Sequence, residues 1–381
     1  MKADRKTALV LTISPWDEPK RLRKQLAEVL AMDMDVVYVT LPFGAKKPSL
    51  NLDVTAGNIR VLSLSGMLIP MRLVVAFKPI HWLYERVVRW RLQRKLRLSG
   101  EIHAVFCFTH LYPAILRSYR RERVIYVAND DHALMAHDNA AAKHIIENEA
   151  RTILNCARVV SVSEVIARKL SRFGRPVHVM YPGHDCSVLP ITDFEHEARV
   201  PRSVCFFGYI DWRVDFALFE ALLNKGWSVT LVGKDVDTAH KIDDLKSRFM
   251  ERFLHHPPVS PEQAPKLLTR YQVLIIPYRY QNEAQAEVME LPNKLFIYFA
   301  ALRPIVTTWM PNLKFVESGL IYNARTDEEF LAYCELAVKE DSKLHAARRS
   351  ELAHQNNWNS RRATLREIID GTATPLTEVS S

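Results

Sequence analysis

Short apolar runs alternate with helical and polar stretches along the first half of the chain. The runs that predict strands are Ala8–Ile13, Val36–Thr40, Ile59–Leu64, Val105–Phe108, Val124–Ala128 and Val159–Val162. A helical pattern from about Arg21 to Met32 separates the first two runs. Near-continuous apolar strands with helices between them are typical of a parallel sheet that is covered on both faces.

The same alternation begins again after an acidic, proline-containing break at about Asp185–Pro201. The second set of strand-like runs is Val204–Phe207, Val229–Val232, Val273–Ile276 and Ile305–Thr307. We therefore expect an α/β protein with two doubly wound, Rossmann-like domains that face a cleft, with ligands at the carboxyl ends of the strands. The predicted domains span residues 1–188 and 200–345. Residues 346–381 are predicted to form a further helix and a tail, which the pattern alone does not assign to either domain.

The net charge of +9 over 381 residues is concentrated near the N-terminus. Residues 1–100 contain 18 Lys and Arg against 8 Asp and Glu, whereas the other 281 residues sum to about −1. A local basic excess indicates either a solvated face or a polyanionic partner, such as membrane phosphate, a pyrophosphate-linked lipid or nucleic acid. No nucleic-acid recognition motif accompanies it, so we expect no nucleic-acid partner.

Three negative observations narrow the class of protein. No apolar run reaches the roughly 18 residues of a membrane-spanning helix, and the N-terminus has no convincing signal-peptide cleavage site. The five cysteines are scattered and never paired at metal-ligand spacing. These features are typical of a cytoplasmic protein without a structural zinc site.

A carboxylate-rich segment, Tyr126–His132, directly follows a predicted buried strand. Side chains at the carboxyl edge of a parallel sheet lie where ligands bind, and a positioned carboxylate can act as a general base toward a hydroxyl group. Asp130 is the candidate, with Asp131 as its competitor. The alternative is that Asn129 or Asp130 only caps the next helix, since both residue types are preferred N-caps.

Two later segments contain candidate ligands for an anion. In Phe206–Arg213, a strand is followed by Gly208 and Tyr209 and then by a helix start, where backbone N–H groups and Arg213 could bind a diphosphate. The second segment has Tyr278, a polar loop through Glu290, and then Asn293 and Lys294 at another helix start; alone, Lys294 would be taken for a surface lysine. Neither segment is a dinucleotide or P-loop motif.

A turn sequence, Tyr181–Asp185, ends the first predicted domain. Glycine permits close approach of another backbone and aspartate favours a tight turn, which suits a hinge. An ordinary turn explains the same residues.

In this order, the motifs resemble the second domain of bacterial GT-B glycosyltransferases. The matching pattern is G-x-I-D-x-R-x-D from Gly208, I-P-Y-R from Ile276, and P-x-K-L-x-x-Y-x-A-x-x-x-P-I-V from Pro292. The helical tail with Trp358 is similar too. Within that superfamily, Tyr126–His132 resembles the catalytic segment of the membrane-associated glucuronosyltransferase of xanthan biosynthesis.

The resemblance implies a role for each matched residue. Asp130 would be the catalytic base, and the tail would cross back to the first domain. The implied donor is a nucleotide-diphosphate sugar, with UDP as the expected nucleotide. Its implied ligands are Gly208, Tyr209, Arg213, Tyr278, Glu290, Asn293 and Lys294. No metal and no other cofactor would be needed.

One departure bears on stereochemistry. Retaining GT-B enzymes usually have two glutamates eight residues apart, the second shortly after the lysine. That second position is Ile297 here and the first is Met289, although Glu290 lies nearby. The xanthan-type enzymes lack this glutamate as well, so an inverting transfer is preferred.

A basic, aromatic segment, Pro79–Leu98, predicts attachment to a membrane surface. Ile80, Leu83, Val87 and Trp90 are spaced for one helical face, and Arg86, Arg89 and Arg94 lie among them. Basic groups beside exposed apolar side chains are what an interfacial helix needs. Alternatively, the apolar stripe packs on the sheet. Trp16 and Arg21, after the first strand, are further candidates on the acceptor or membrane side.

The sequence thus predicts a hexosyl- or glucuronosyltransferase of exopolysaccharide or cell-surface glycan synthesis. Its acceptor would be a glycan, in the preferred interpretation a lipid-linked one, and it would work at the inner face of the cell membrane. A retaining transferase and an inactive GT-B-like binding protein are the alternatives.

Overall fold

A computed structural model describes residues 5–17, 22–42, 54–64, 78–96, 101–136, 138–184 and 199–376. The chain divides into two compact units. The first comprises Met1–Tyr181 and Arg361–Ser381, and the second comprises Pro182–Ser360.

The first unit is built on a sheet of eight strands in the order β3-β4-β2-β1-β5-β6-β7-β8. The strands are β1 Thr7–Thr12, β2 Asp35–Thr40, β3 Val54–Ala56, β4 Ile59–Ser63, β5 Ile102–Cys107, β6 Val124–Ala128, β7 Arg158–Ser161 and β8 Val177–Val179. All neighbours pair in parallel except β3 and β4, which are antiparallel. The central strands β1 and β6 are buried along their whole length, as expected for a sheet covered on both faces.

The helices of the first unit include one contributed by the C-terminal segment. They are α1 Leu22–Leu30, α2 Lys78–Leu96, α3 Pro113–Leu116, α4 Asn139–Leu154, α5 Glu164–Ser171 and, near the C-terminus, α13 Arg362–Asp370. Side chains of Asp138 and Ser163 cap the first turns of α4 and α5 by accepting backbone N–H groups. The left-handed Gly371 ends α13.

The second unit repeats the architecture with six parallel strands in the order β11-β10-β9-β12-β13-β14. The strands are β9 Ser203–Phe207, β10 Ser228–Val232, β11 Phe253–His256, β12 Val273–Ile276, β13 Ile305–Thr308 and β14 Ile321–Ala324. The helices are α6 Phe216–Asn224, α7 Ala239–Phe249, α8 Ala264–Leu268, α9 Glu283–Glu287, α10 Leu295–Ala300, α11 Asp327–Glu340 and α12 Lys343–Gln355.

Strand order reverses once within each sheet. In the first sheet the reversal falls between β1 and β5, and in the second between β9 and β12. Ligands of open α/β sheets bind outside the carboxyl ends of the strands at such a switch point. Each unit therefore has its own expected binding edge.

The units divide differently from the predicted domains at the C-terminal end. Helix α12 lies in the second unit, where Ala346, Leu352 and the fully buried Arg349 are part of its interior. The chain returns to the first unit only from Arg361 onward. The predicted segment 346–381 thus contributes to both units.

The predicted hinge residue Gly183 belongs to the second unit and lies close to the backbone of another segment of that unit. A Cβ at this position would be 2.7 Å from the carbonyl carbon of Asn357 and 2.8 Å from the nitrogen of Trp358. The neighbouring His184 exchanges backbone hydrogen bonds with Asn356 and Trp358. Glycine is required here by a close approach of two chain segments; Asp185 lies outside the described residues.

Candidate functional site

Lys294, the residue before α10, is a buried lysine at the switch point of the second sheet. Its Nζ donates a hydrogen bond to the Tyr278 hydroxyl at 2.7 Å. Nζ also lies 3.8 Å from the centroid of the Phe206 ring and 4.7 Å from that of Tyr278. Phe206 belongs to β9 and Tyr278 follows β12, so the two strands that flank the reversal supply the walls around this amine.

The electrostatic surroundings of Lys294 favour an anionic ligand. Burial lowers the pKa of the Lys294 amine well below its ordinary value, the Arg213 guanidinium lowers it further, and Asp211 acts in the opposite direction. Among the described residues, no carboxylate forms an ion pair with the Lys294 amine. An incoming anion would supply the missing partner and favour the charged form of the amine.

Arg213 is held beside Lys294 by an ion pair within its own loop. Nε and Nη2 of Arg213 donate hydrogen bonds to the Asp211 carboxylate at 3.0 and 2.6 Å. Burial by itself would raise the pKa of Asp211, but the hydrogen bonds from Arg213 keep it below its ordinary value. The guanidinium carbon lies 5.4 Å from the centroid of the Tyr278 ring, and the Arg213 side chain is 36% exposed. A second cation is therefore fixed near the amine and stays accessible.

Two glycines let the backbone come close to these cations. Gly208 has φ of 132° and Gly233, after β10, has φ of 157°. A Cβ on Gly233 would be 1.8 Å from the Gly208 carbonyl oxygen, and a Cβ on Gly208 would be 3.2 Å from Nζ of Lys294. Larger residues would disrupt the loop or crowd the amine, so glycine keeps this edge open to a ligand.

In the first unit, the neighbours Asp130 and Asp131 follow β6 but have different partners. Asp131 is buried, pairs with Nζ of Lys169 at 2.5 Å, and accepts the backbone N–H of Leu134 at 3.2 Å. Asp130 is half-buried and accepts a hydrogen bond from the side chain of Asn129. Asp131 is therefore engaged in an internal ion pair, and Asp130 is the more accessible carboxylate.

Two histidines beside Asp130 were not predicted from the sequence. His110 follows β5 and His132 follows β6, and their ring centroids lie 5.2 Å apart. Burial lowers the pKa of His110 to about 3, helped by His132 and His144, and burial also lowers the pKa of His132, which Asp130 opposes. Both rings are neutral near pH 7. Strand adjacency alone brings them together, since 22 residues separate them in the chain.

Comparison with known proteins gives the same picture of the fold. No family model matches the chain. TuaH of Bacillus subtilis (strain 168), named as a teichuronic acid biosynthesis glycosyltransferase, is 22% identical over 277 residues, which cover 65% of this chain and 67% of TuaH. Anabaena HepE, whose crystal structure was determined in complex with UDP, is 12% identical in sequence. The two structures superpose with a TM-score of 0.65, and the match covers 96% of this chain and 100% of HepE. The UDP-forming α,α-trehalose-phosphate synthase of Burkholderia vietnamiensis is 10% identical with a TM-score of 0.67, covering 96% of this chain and 99% of the synthase.

The chain has the GT-B fold. Two parallel-sheet, Rossmann-like units are what the sequence predicted, and the prediction of this fold is confirmed.

The other residues predicted to bind the donor, all in the second unit, differ in how exposed they are. Tyr209 is half-buried in the loop after β9, and Asn293 is exposed directly before Lys294. Glu290 is buried, with 2% exposure, and its carbonyl oxygen accepts the Lys314 N–H at 3.0 Å. Trp212, which the sequence analysis did not single out, is 58% exposed in the same loop as Arg213. The sequence could have indicated Trp212 only through its position, shortly after the end of a predicted strand.

On the first GT-B unit, Trp16 is half-buried and packs edge-on against Tyr38, with ring centroids 5.0 Å apart. Nζ of Lys24 lies 4.5 Å from the centroid of the Trp16 ring. Arg21 lies outside the described residues.

Helix α2 presents opposite faces of different chemistry. Tyr84, Val88 and Leu92 are buried, whereas Trp82, Leu83 and Trp90 are exposed at 58%, 57% and 57%. Leu83 and Trp90 of the predicted stripe therefore do not pack inward, whereas its other members, Ile80 and Val87, are half-buried. The buried face is offset from the predicted stripe by one residue. The exposed surface, here named the α2 basic-aromatic face, consists of Trp82, Leu83, Arg86, Trp90 and Arg94.

Cations lie against the exposed rings of this face. The Arg86 guanidinium is 4.8 Å from the centroid of Trp82, and that of Arg94 is 5.7 Å from Trp90. The third predicted arginine, Arg89, is half-buried, and residues 97 and 98 at the end of the predicted segment lie outside the described residues. Within the described parts of the chain, no helix is long and apolar enough to span a membrane, and no three His, Cys, Asp or Glu side chains group as metal ligands would.

Proposed function

We propose that this protein is a glycosyltransferase that moves a sugar from a nucleoside-diphosphate sugar, with UDP as the nucleotide, to a glycan acceptor. The observation that supports the proposal best is the buried Lys294 amine beside Arg213 and Gly208 at the switch point of the second sheet. Two cations beside a glycine-containing loop suit a diphosphate, and the nearby Asp211 carboxylate is already paired with Arg213. HepE was crystallised with UDP and with UDP-glucose, which supports the choice of donor.

In the proposed reaction, the second unit binds the donor and stabilises the leaving group. The bond between the anomeric carbon and the diphosphate oxygen breaks, and its electron pair stays on the diphosphate. Lys294 and Arg213 stabilise this charge, which needs no metal ion in the proposal. Tyr278 positions the amine through its hydrogen bond, and Tyr209, Glu290 and Asn293 would contact the nucleotide or sugar.

The first unit would activate the acceptor. Asp130 accepts the proton of an acceptor hydroxyl as its oxygen attacks the anomeric carbon, and direct attack inverts the configuration there. The ion pair of Asp131 with Lys169 supports Asp130 as the base, since Asp131 is buried and held by the lysine, whereas Asp130 is more accessible to an acceptor hydroxyl. We include in this proposal that the transferred group is a hexosyl or glucuronosyl residue. We also include that the enzyme is similar to the glucuronosyltransferase of xanthan biosynthesis.

We further propose that the α2 basic-aromatic face attaches the enzyme to the inner, anionic membrane surface, where a lipid-linked acceptor would be found. Its exposed tryptophans and adjacent arginines support this, because amphipathic rings and basic groups bind together at lipid headgroups. TuaH, through its named role in teichuronic acid biosynthesis, supports an acceptor in cell-surface or exopolysaccharide synthesis.

A two-step experiment tests the transfer itself. A panel of UDP- and other nucleotide sugars is first ranked by the rise in melting temperature, since a ligand that binds only the folded state stabilises it. Nucleotide release from the best donor is then measured with and without membrane lipid extract as the acceptor source. Acceptor-dependent release supports the transferase. Binding without any release, with or without extract, would favour an inactive binding protein of the same fold.

A further inference from the structure

A cavity lies among the helices of the first unit. It has a volume of about 330 Å³, is open to solvent, and is lined by residues of α2, α3 and α4. A water molecule occupies roughly 30 Å³ in the liquid. The cavity is therefore large enough for a ligand group of several heavy atoms.

Charged side chains and imidazole rings line part of this cavity, among them two arginines. Arg117 at the end of α3 and Arg151 in α4 are exposed, and neither guanidinium has a hydrogen bond or ion pair among the described residues. His81 and His144 also line the cavity, with ring centroids 6.4 Å apart. Four nitrogen-bearing side chains from three helices thus surround one space.

Among the described residues, the two carboxylates in the lining form no ion pair with the arginines. Glu85 is buried and accepts the Ala114 N–H at 3.0 Å, and its other oxygen lies 3.7 Å from Nε2 of His81. Burial raises the pKa of Glu85 to about 6, and Arg117 and Arg151 act in the opposite direction, so Glu85 is mostly ionised at pH 7 and interacts electrostatically with both arginines. Glu147, one turn before Arg151, is the second carboxylate, and no ion pair joins the two within the described residues.

Two further features relate the cavity to its surroundings. Trp82, at the cavity rim, is also exposed on the α2 basic-aromatic face, so the cavity adjoins that surface. At the other side, His144 interacts electrostatically with His110, which packs on His132 beside Asp130. The cavity therefore adjoins the exposed aromatic surface through Trp82, and its His144 interacts with one member of the His110–His132 pair.

From this placement we infer that the α2–α3–α4 cavity binds a phosphate ester, with Arg117 and Arg151 as its ligands and the Trp82 ring against the apolar part of the molecule. Unpaired guanidinium groups bind phosphate oxygens through charge-assisted hydrogen bonds, and an indole suits the adjoining lipid or sugar. The phosphate would come from a lipid-linked acceptor or from a membrane headgroup. Only the first source rests on the proposed function.

Binding to the full-length protein can be measured with the second-unit site already filled. The protein is saturated with UDP and then titrated by calorimetry with inorganic pyrophosphate and, separately, with sn-glycerol 1-phosphate. If UDP does not bind the wild-type protein, the same two titrations are made with Lys294→Met protein in the absence of UDP. We expect one equivalent of at least one probe to bind. Stronger binding of pyrophosphate would assign the acceptor diphosphate, and stronger binding of glycerol phosphate would assign the headgroup.

Variants then locate the binding. Arg117→Gln with Arg151→Gln should weaken the affinity at least about tenfold, since each charge-assisted contact contributes severalfold. The control Arg168→Gln with Arg172→Gln removes the same charge from exposed positions at α5 and should change nothing. The single Arg variants should show intermediate losses if the double variant is unstable. No binding of either probe, or equal binding by the cavity variants, would overturn the inference. Failure of UDP to bind would count only against the proposed function.

Discussion

Asp130 and Asp131 show how much the neighbourhood of a residue decides its chemistry. Both follow the same buried strand, and the sequence could not separate them. In the structure, Asp131 pairs with Lys169, whereas Asp130 lies beside His132 and is more exposed. The difference arises from α5, which brings Lys169 to within hydrogen-bond distance over 38 residues of chain.

Asp130→Asn should reduce kcat about 10²–10⁴-fold, because general-base catalysis contributes about that much. UDP affinity and melting temperature should stay near those of the wild type. Asp131→Asn should do the reverse, lowering the melting temperature while kcat falls only slightly, since it breaks a largely buried ion pair. Steady-state kinetics and thermal unfolding of both variants provide the test. Near-normal kcat in Asp130→Asn with an inactive but folded Asp131→Asn would refute the assignment.

Binding of UDP should raise the pKa of Lys294 and so take up protons. The free amine has a lowered pKa because it is buried beside Arg213, and a bound diphosphate would favour its charged form. Above the free-state pKa the amine must be protonated on binding, so the affinity should fall as pH rises through the interval between the two pKa values. Calorimetry at about pH 8 in buffers of different ionisation enthalpy measures this uptake, since the second phosphate ionisation, near pH 6, is then complete.

Lys294→Met provides the control for proton uptake. It should lose the buffer dependence along with most of the affinity. Unchanged uptake in the variant would assign the proton to another group.

For single residues, the sequence predicts site residues that belong to a local motif. It does not predict residues that only the tertiary fold brings to the site. Lys294 and Tyr278 were found because each belongs to a recognisable local pattern. His110, Lys169 and Trp212 have no such pattern, and only the strand order and the helix positions bring the first two to the carboxyl edge.

Among the elements, the strands that the sequence missed are the edge strands. Neither β3 nor β8 of the first sheet, nor β11 or β14 of the second, was predicted, and each lies at the end of its sheet. They are three or four residues long. An edge strand pairs on one side only and need not be apolar on both faces, so its sequence carries a weaker signal than that of a central strand.

Helix α2 shows a similar limit. Spacing placed Leu83 and Trp90 on one face correctly, but it could not tell whether that face is the buried one. The neighbouring positions Tyr84 and Val88 carry large apolar groups too, and these are the ones that pack inward. Two apolar stripes on one helix can be distinguished only when the sheet beneath is known.

The α2 basic-aromatic face should bind anionic vesicles. Co-sedimentation should require phosphatidylglycerol, decrease with added salt, and be largely lost in Arg86→Glu with Arg94→Glu, because each basic group near an anionic surface contributes about 1 kcal/mol. Adding Arg89→Glu should increase the loss. Arg168→Glu with Arg172→Glu changes the charge equally elsewhere and should retain binding. Wild-type protein that stays in the supernatant under all conditions would exclude membrane attachment through this helix.

Helix α13 should depend on a single carboxylate. Asp33 accepts hydrogen bonds from both Arg362 and Arg366, and these hold the pKa of Asp33 far below its ordinary value. A lowered folded-state pKa contributes stability above the unfolded-state pKa, near 4, and this stability is lost as pH falls. Asp33→Asn should therefore speed hydrogen exchange in residues 362–370 at pH 7, and by less at pH 3.

The magnitude for Asp33→Asn should be modest, about 1 kcal/mol, because the arginines are partly exposed and solvent screens the pairs. Unchanged exchange in α13 at neutral pH would show that its buried Leu365 and Ile368 hold the helix without the ion pairs.

For the whole molecule, the sequence predicts the GT-B fold better than it predicts the limits of the two units. Apolar strands at regular intervals are a repeated signal, and both doubly wound sheets follow from it. The return of the chain at Arg361 leaves no such signal, since α12 and α13 are both charged helices. Their ion pairs differ in the structure. Arg349 of α12 pairs with Asp341 in the second unit, whereas Arg362 of α13 pairs with Asp33 in the first.

The central claim is that the second unit binds a nucleoside diphosphate through Lys294, and calorimetric titration of the whole protein with UDP tests it most directly. Wild-type protein should bind one equivalent, and Lys294→Met should bind about 10–150-fold more weakly, as expected for loss of a charge-assisted contact worth about 1.5–3 kcal/mol. Lys266→Met, which removes an exposed lysine of the same unit, should leave the affinity unchanged. Folded wild-type protein that does not bind UDP, or equal affinities for wild type and Lys294→Met, would contradict the account.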